Sequence, residues 1–201
     1  MPNPPARTQP PAGAGRTKLC RTIAIVLLAI ILLVGLTILI IWLAVKPKRL
    51  VYSIESGSIR GYNLSQNNHL NSNFNFILRA YNPNTKVSVY YKKVETSVWF
   101  NGQRLAFNTL PPFRQGHKNE TRLGVNLVAQ DVALSGDTAK GMKTERTGGA
   151  VELDVRMKAR IRIKVGAWKG RRTLRVLCPS VLVGFSSSRT FVRKSCDVDT
   201  T

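Results

Sequence analysis

One membrane-crossing α-helix followed by a single all-β antiparallel domain is the architecture this chain predicts, and three observations carry it. Residues 22–45 run for 24 positions without a charged side chain, and about 20 apolar residues suffice to cross a bilayer as a helix. Beyond Lys46 the continuous apolarity gives way to short alternating runs separated by Gly, Asn, Pro and Ser, the pattern of strands and turns. No βαβ rhythm interrupts those runs, so an antiparallel β-sandwich is expected over a doubly wound sheet.

Residues 1–21 hold Pro2, Pro4, Pro5, Pro10 and Pro11 and then Ala12-Gly13-Ala14-Gly15, a composition that stays extended and solvated, so this segment is expected to be a disordered tail. Cys20 lies beside the apolar run, where it is either a palmitoylation site or a plain juxtamembrane cysteine. The run itself is too long for a cleaved signal peptide, whose apolar region spans about 7 to 15 residues. Trp42 falls where an interfacial aromatic is expected, so residues 22–45 are read as an uncleaved signal anchor. Basic residues flank the span on both sides, but long domains translocate largely regardless of charge. Residues 46–201 are therefore expected on the far side of the membrane and the amino terminus in the cytosol. The sequons Asn63-Leu64-Ser65 and Asn119-Glu120-Thr121 both lie in that segment, as glycosylation at Asn63 and Asn119 would require.

Within the domain, strands are expected near Leu50 to Ile59, Val87 to Tyr91, Arg122 to Leu127 and Thr173 to Cys178. In Phe74 to Ala80, the residues Phe74, Phe76, Leu78 and Ala80 can face a core while Asn75 and Arg79 face water. Val94, Thr96, Val98 and Phe100 repeat this alternation, and Asn101-Gly102 predicts a tight hairpin into Gln103 to Phe107. A short helix is expected around Asp131 to Lys143. The longest alternation places Val151, Leu153, Val155, Met157, Ala159, Ile161, Ile163 and Val165 at every second position. Fifteen residues exceed a usual strand, so a bulge or twist is expected in it. The last strand is expected at Phe191.

The opposite face of that long strand carries Arg156, Lys158, Arg160, Arg162 and Lys164. Side chains two apart on a strand lie roughly 7 Å from one another, within a Debye length of about 8 Å, so their repulsion is only partly screened. If the next segment folds back as a hairpin, Lys169, Arg171, Arg172 and Arg175 widen the stripe to a patch. It is either an ordinary solvated face or a surface that docks on a polyanion, an acidic polysaccharide such as pectin or acidic lipid headgroups. Of 31 basic residues in the chain four precede the span, leaving 27 against 10 acidic beyond it. Nucleic acid is set aside as a partner because a domain outside the cell does not meet it.

Catalytic chemistry has little to work with. His69 and His117 lie in separate segments, and no cysteine or carboxylate pair stands at ligand spacing, so no metal or other cofactor is expected. There is no Gly-rich phosphate loop and no Gly-x-Ser-x-Gly elbow, and Ser186 to Ser188 have no visible base. The chain is read as no enzyme. Cys178 and Cys196 are the two cysteines beyond the span, separated by 17 residues. In an oxidising compartment they are expected to be bridged, with two separate buried thiols as the alternative.

Several ordered motifs resemble one plant family. These are Ala80-Tyr81-Asn82-Pro83-Asn84, Val89-Tyr90-Tyr91, Gly102-Gln103-Arg104-Leu105-Ala106 and the stretch from Phe113 through Gln115-Gly116-His117-Lys118 to Thr121. The chain then closes on Lys194-Ser195-Cys196-Asp197-Val198-Asp199, similar to that family's Lys-Cys-Asp-Val-Asp. The family is the harpin-induced and non-race-specific disease resistance-like group, which shares the second-group late embryogenesis abundant domain, also called the water stress and hypersensitive response domain. The resemblance implies a plasma-membrane protein with an extracellular Ig-like β-sandwich, acting in defence and hypersensitive signalling through protein partners, with stress roles in some relatives. Here Lys92-Lys93 follows Tyr91 where an acidic residue is common. On chemistry alone, Asn82-Pro83-Asn84 reads as a turn, since proline fixes φ and asparagine side chains bond nearby backbone, with a binding role as the other reading.

Overall fold

The computed structural model describes residues 14–45, 48–166, 168–186 and 190–201. Expectations that fall on residues 1–13, on Lys46, on the Trp42 ring and on Ser187 and Ser188 lie outside the described residues. Two compact units result, residues 1–46 and 47–201.

In the first unit, α1 spans Ala14–Val45, 32 residues. It begins inside the segment expected to be disordered, because the prolines stop at Pro11 and nothing from Ala14 onward breaks a helix. Within it Cys20–Ile40 has a mean hydropathy of 3.4, long and apolar enough to cross a membrane. Leucine, isoleucine and valine are exposed on every face of it, which suits hydrocarbon and not a globular core. Within it Thr37 Oγ1 donates to the Leu33 carbonyl at 2.7 Å and so presents no unpaired donor.

The second unit contains β1 (Val51–Leu64), β2 (His69–Asn82), β3 (Val87–Phe100), β4 (Gln103–Leu110), β5 (Phe113–Gln115), β6 (Asn119–Ala133), α2 (Gly136–Thr147), β7 (Ala150–Val165), β8 (Trp168–Gly184) and β9 (Lys194–Thr200). Every strand pairing is antiparallel, in the order β4-β3-β7-β8-β9-β1-β2-β6, with β5 beside β3. The expected all-β class holds. In place of two separately hydrogen-bonded sheets, β9 pairs with β8 on one side and β1 on the other, joining both halves into one near-closed path. At its two ends side chains do the joining: Asn108 Nδ2 donates to the Asn126 carbonyl and Gln103 Nε2 to the Ala133 carbonyl, each at 2.8 Å. The disulfide Cys178–Cys196 ties β8 to β9 at this junction.

The core follows the alternation. Phe74, Phe76, Leu78 and Ala80 of β2 are buried, as are Val94, Thr96, Val98 and Phe100 of β3 and Val151 to Ile161 at every second position of β7. Asn101 and Gly102 both take positive φ, 45° and 74°, which a two-residue hairpin twisted like its strands requires. The long β7 is continuous from Ala150, with the expected irregularity where its register with β8 slips between Leu153 and Val155. There Ser180 takes φ 53° and its N–H donates to the Asp154 carboxylate at 3.2 Å.

Three expectations are corrected. Val87 to Tyr91 and the alternation from Val94 form one strand, because a bulge at Lys92 absorbs the slip of phase between buried Tyr91 and buried Val94. The helix starts at Gly136, not Asp131, since residues up to Ala133 still pair with β2. Ser135 then caps it, its Oγ accepting from the Thr138 N–H. The last strand begins at Lys194 and not at Phe191.

Candidate functional site

The outward stripe of β7 forms as the alternation requires. Lys158, Arg160, Arg162 and Lys164 are exposed, whereas Arg156 is half-buried with its guanidinium 4.4 Å from the Trp99 ring centre. The hairpin to β8 also forms and sets Arg175 opposite Lys158, Arg171 opposite Arg162 and Lys169 opposite Lys164. The stripe is thereby a patch two strands wide. Arg172 falls on the other alternation, opposite Ile161. It nevertheless lines an open hollow of about 670 Å³ together with Lys92, Arg160, Arg162 and Arg171.

This patch divides into two halves by its carboxylates. At one half Asp154 lies 3.5 Å from Arg156 and Asp199 4.0 Å from Arg175. Glu95 stands opposite Lys158, and its hydrogen bond to Lys93, 2.7 Å long, holds its carboxyl below the usual range. This half also borders a groove of about 800 Å³ whose exposed apolar floor is Phe107 and Leu177. In the other half, among the described residues, Arg160, Arg162, Lys164, Lys169 and Arg171 have no carboxylate within 4.0 Å.

Next to that uncompensated half, around Lys48, three of the quoted motifs, those of residues 80–84, 89–91 and 113–121, converge on one buried polar cluster. Asn82, fully buried, donates from Nδ2 to the carbonyls of Val87 and Gly116, both at 2.7 Å, while its Oδ1 accepts from the Asn84 N–H and Nδ2. Asn84 in turn clamps Lys48 from both sides, accepting its N–H at 2.6 Å and donating to its carbonyl at 2.8 Å. Gln115 Nε2 donates to the carbonyls of Ala80 and Asn119, and its Oε1 accepts from Tyr91 Oη, which is itself bonded to Tyr52 Oη. Burial pushes the Tyr91 phenol up to about 12 and raises Tyr52 well above its ordinary value. Asn82-Pro83-Asn84 is thus a turn, and one that organises three segments. Gly116 contributes a carbonyl, and His117 Nε2 meets Ser88 Oγ at 3.1 Å.

The remaining predicted residues are dispersed. Asn63 and Asn119 are exposed at opposite ends of their strands, β1 and β6. Cys20 is an exposed free cysteine on α1. Among the described residues no group of three or more His, Cys, Asp or Glu is placed to hold a metal. Sequence reasoning missed the arginine cluster on the far face. Glu55 receives Arg122 at 2.7 Å, Arg193 at 2.8 Å and Arg79 at 3.7 Å, and Glu120 pairs with both Arg79 and Arg122. These residues come from strands and a loop far apart in the chain, so no local pattern announces them.

Comparison with known proteins supports a family assignment. The late embryogenesis abundant protein family model matches residues 78–178. An uncharacterized Arabidopsis thaliana protein is 38% identical over 85% of this chain and 77% of its own length. The Arabidopsis NDR1/HIN1-like protein 1 is 30% identical over 92% of this chain and 96% of its own, and NDR1/HIN1-like protein 3 is 30% identical over 87% and 78%. Among solved structures, an Arabidopsis protein determined in solution aligns at 11% identity over 71% of this chain and 89% of that one, with a TM-score of 0.33, too weak a likeness to add to the fold. With its residues 78–178 matched by the family model and NDR1/HIN1-like protein 1 matched nearly end to end, this chain belongs to the late embryogenesis abundant family, within its harpin-induced, NDR1/HIN1-like branch.

Proposed function

We propose that this is a non-enzymatic, plasma-membrane protein of plant defence. In this reading it crosses once through α1, keeps its amino terminus in the cytosol and presents residues 47–201 outside, the two halves of the strand path serving as the layers of an Ig-like sandwich. The observation that carries it is the match to NDR1/HIN1-like protein 1 over 92% of the chain, apolar helix included. The disulfide fits an oxidising compartment. Asn63 and Asn119 are then glycosylated, and Cys20 is positioned for acylation.

Two measurements test this. Protease applied to intact plant cells should remove the domain, and a protected carboxy-terminal fragment overturns the topology. Plants lacking the protein should show weakened hypersensitive cell death on pathogen challenge. Unchanged cell death with impaired survival of drought would instead establish the second reading, a stress-protective or adhesion module holding acidic polysaccharide or lipid headgroups. That reading is favoured by the five cations without carboxylate partners.

A further inference from the structure

The β7–β8 hairpin ends beside the Asn82 cluster, and an aromatic residue stands on its tip. Val165 pairs with Val87, whose carbonyl accepts from Asn82, which is bonded to Asn84, which clamps Lys48.

Trp168 closes the hairpin opposite Val165 and is 61% exposed. Its ring is not loose: it lies against Gly170, where an added Cβ would come within 2.5 Å of the ring edge. On the opposite face of the same hairpin end stand Lys164 paired with Lys169 and Arg162 paired with Arg171, none with a carboxylate within 4.0 Å among the described residues. An exposed tryptophan costs solvation in water but is suited to the headgroup layer, where its apolar body and polar N–H each find a match. Cations on the other face of the same hairpin end reach headgroup phosphate oxygens when the tip enters that layer.

We propose that this tip is a membrane foot: Trp168 lies in the headgroup layer of an anionic membrane, and Arg162, Lys164, Lys169 and Arg171 bind its headgroup phosphates. The proposal rests on the anchored reading above. It commits the uncompensated half of the patch to lipid, leaving the half bearing Asp154, Glu95 and Asp199 free for other contacts.

The test uses full-length protein in nanodiscs of phosphatidylcholine alone or with added phosphatidylglycerol, followed by amide hydrogen exchange. Each cation near an anionic surface strengthens adsorption about five-fold, so exchange at the 164–171 tip should slow by at least about ten-fold in the anionic discs and recover at high salt. Trp168→Ala should weaken the protection, and Arg162→Glu with Arg171→Glu should remove its dependence on lipid charge. Amides of β2 report whether each variant is folded, and Lys164→Gln with Lys169→Gln gives a milder second set should the reversal fail that check. Equal exchange in both disc types, indifference to Trp168→Ala, or protection that arises only when polygalacturonate is added to neutral discs overturns the foot. A chain that does not stay with the discs defeats the anchored reading and the foot with it, so the two failures are distinguishable.

Discussion

The cluster around Asn82 and the stripe on β7 are neighbours, yet they treat polar groups in opposite ways. In the first, neutral amides and phenols are withdrawn from water and each hydrogen-bonding atom that the motifs supply is matched. In the second, cations of one sign are left in water with their repulsion only partly screened. A buried group left unpaired loses its full desolvation energy, whereas a solvated charge loses little when removed. The difference separates a cluster that holds the fold from a stripe that contributes little to its stability, and each part of that division is open to experiment.

The largest effect should come from Asn82→Ala, which strips partners from two carbonyls and from Asn84 at once. About 4 kcal/mol or more should be lost in denaturant unfolding, with the folded fraction still binding polygalacturonate or anionic vesicles as before. A loss below about 1 kcal/mol would show that water replaces the side chain and that the cluster is not the fold's anchor. Cys196→Ala should remove about 3 kcal/mol, the loop-closure value for the 18-residue separation.

Alkaline pH attacks the same cluster without mutation. The folded-state pKa of Tyr91 is raised to about 12 from an ordinary 10 by burial, so its contribution is fully present below pH 10 and is lost as pH rises from 10 through 12. Two pH units correspond to about 3 kcal/mol. Tyr91→Phe should flatten that part of the stability curve, and an unchanged alkaline limb contradicts the assignment. Glu55→Gln should cost only about 1 kcal/mol, because the three arginines it holds are partly solvated. It should however turn the far face into a second polyanion-binding surface, readable as a steeper salt dependence of binding. The smallest stability effect belongs to the stripe itself. Arg160→Glu with Arg162→Glu should leave unfolding within about 0.5 kcal/mol while weakening polyanion binding far more than reversal at Arg79, whose charge is already paired. Equal losses of binding would reduce the stripe to part of a diffuse positive field.

Periodicity made much of this legible. The alternations in β2 and β7 named their buried faces correctly, Asn101-Gly102 named its turn, and the parity of the cysteines named their bridge. Where a bulge shifts the phase, alternation breaks, and so β3 read as two strands separated at Lys92. The stripe was visible because its members share one strand. Its division into paired and unpaired halves was not, since Glu95 and Asp199 reach it from β3 and β9 by register alone. The Glu55 cluster, reaching across as many as 138 residues, was invisible for the same reason. The motif tripeptides could be read as turns, but that Asn82, Asn84 and Gln115 share one interior depends on three segments meeting around Lys48.

The position of β9 sets an order on biogenesis. Both its neighbours, β1 and β8, precede it in the chain, one by more than a hundred residues. During vectorial synthesis the two halves can each pair internally, but each carries an open strand edge until Lys194–Thr200 emerges. Oxidation of Cys178 must wait for the same segment. A ribosome stalled before residue 194 would thus expose two unpaired edges, the templates that quality control and aggregation both recognise, and maturation of the whole domain hangs on seven residues made after every other strand.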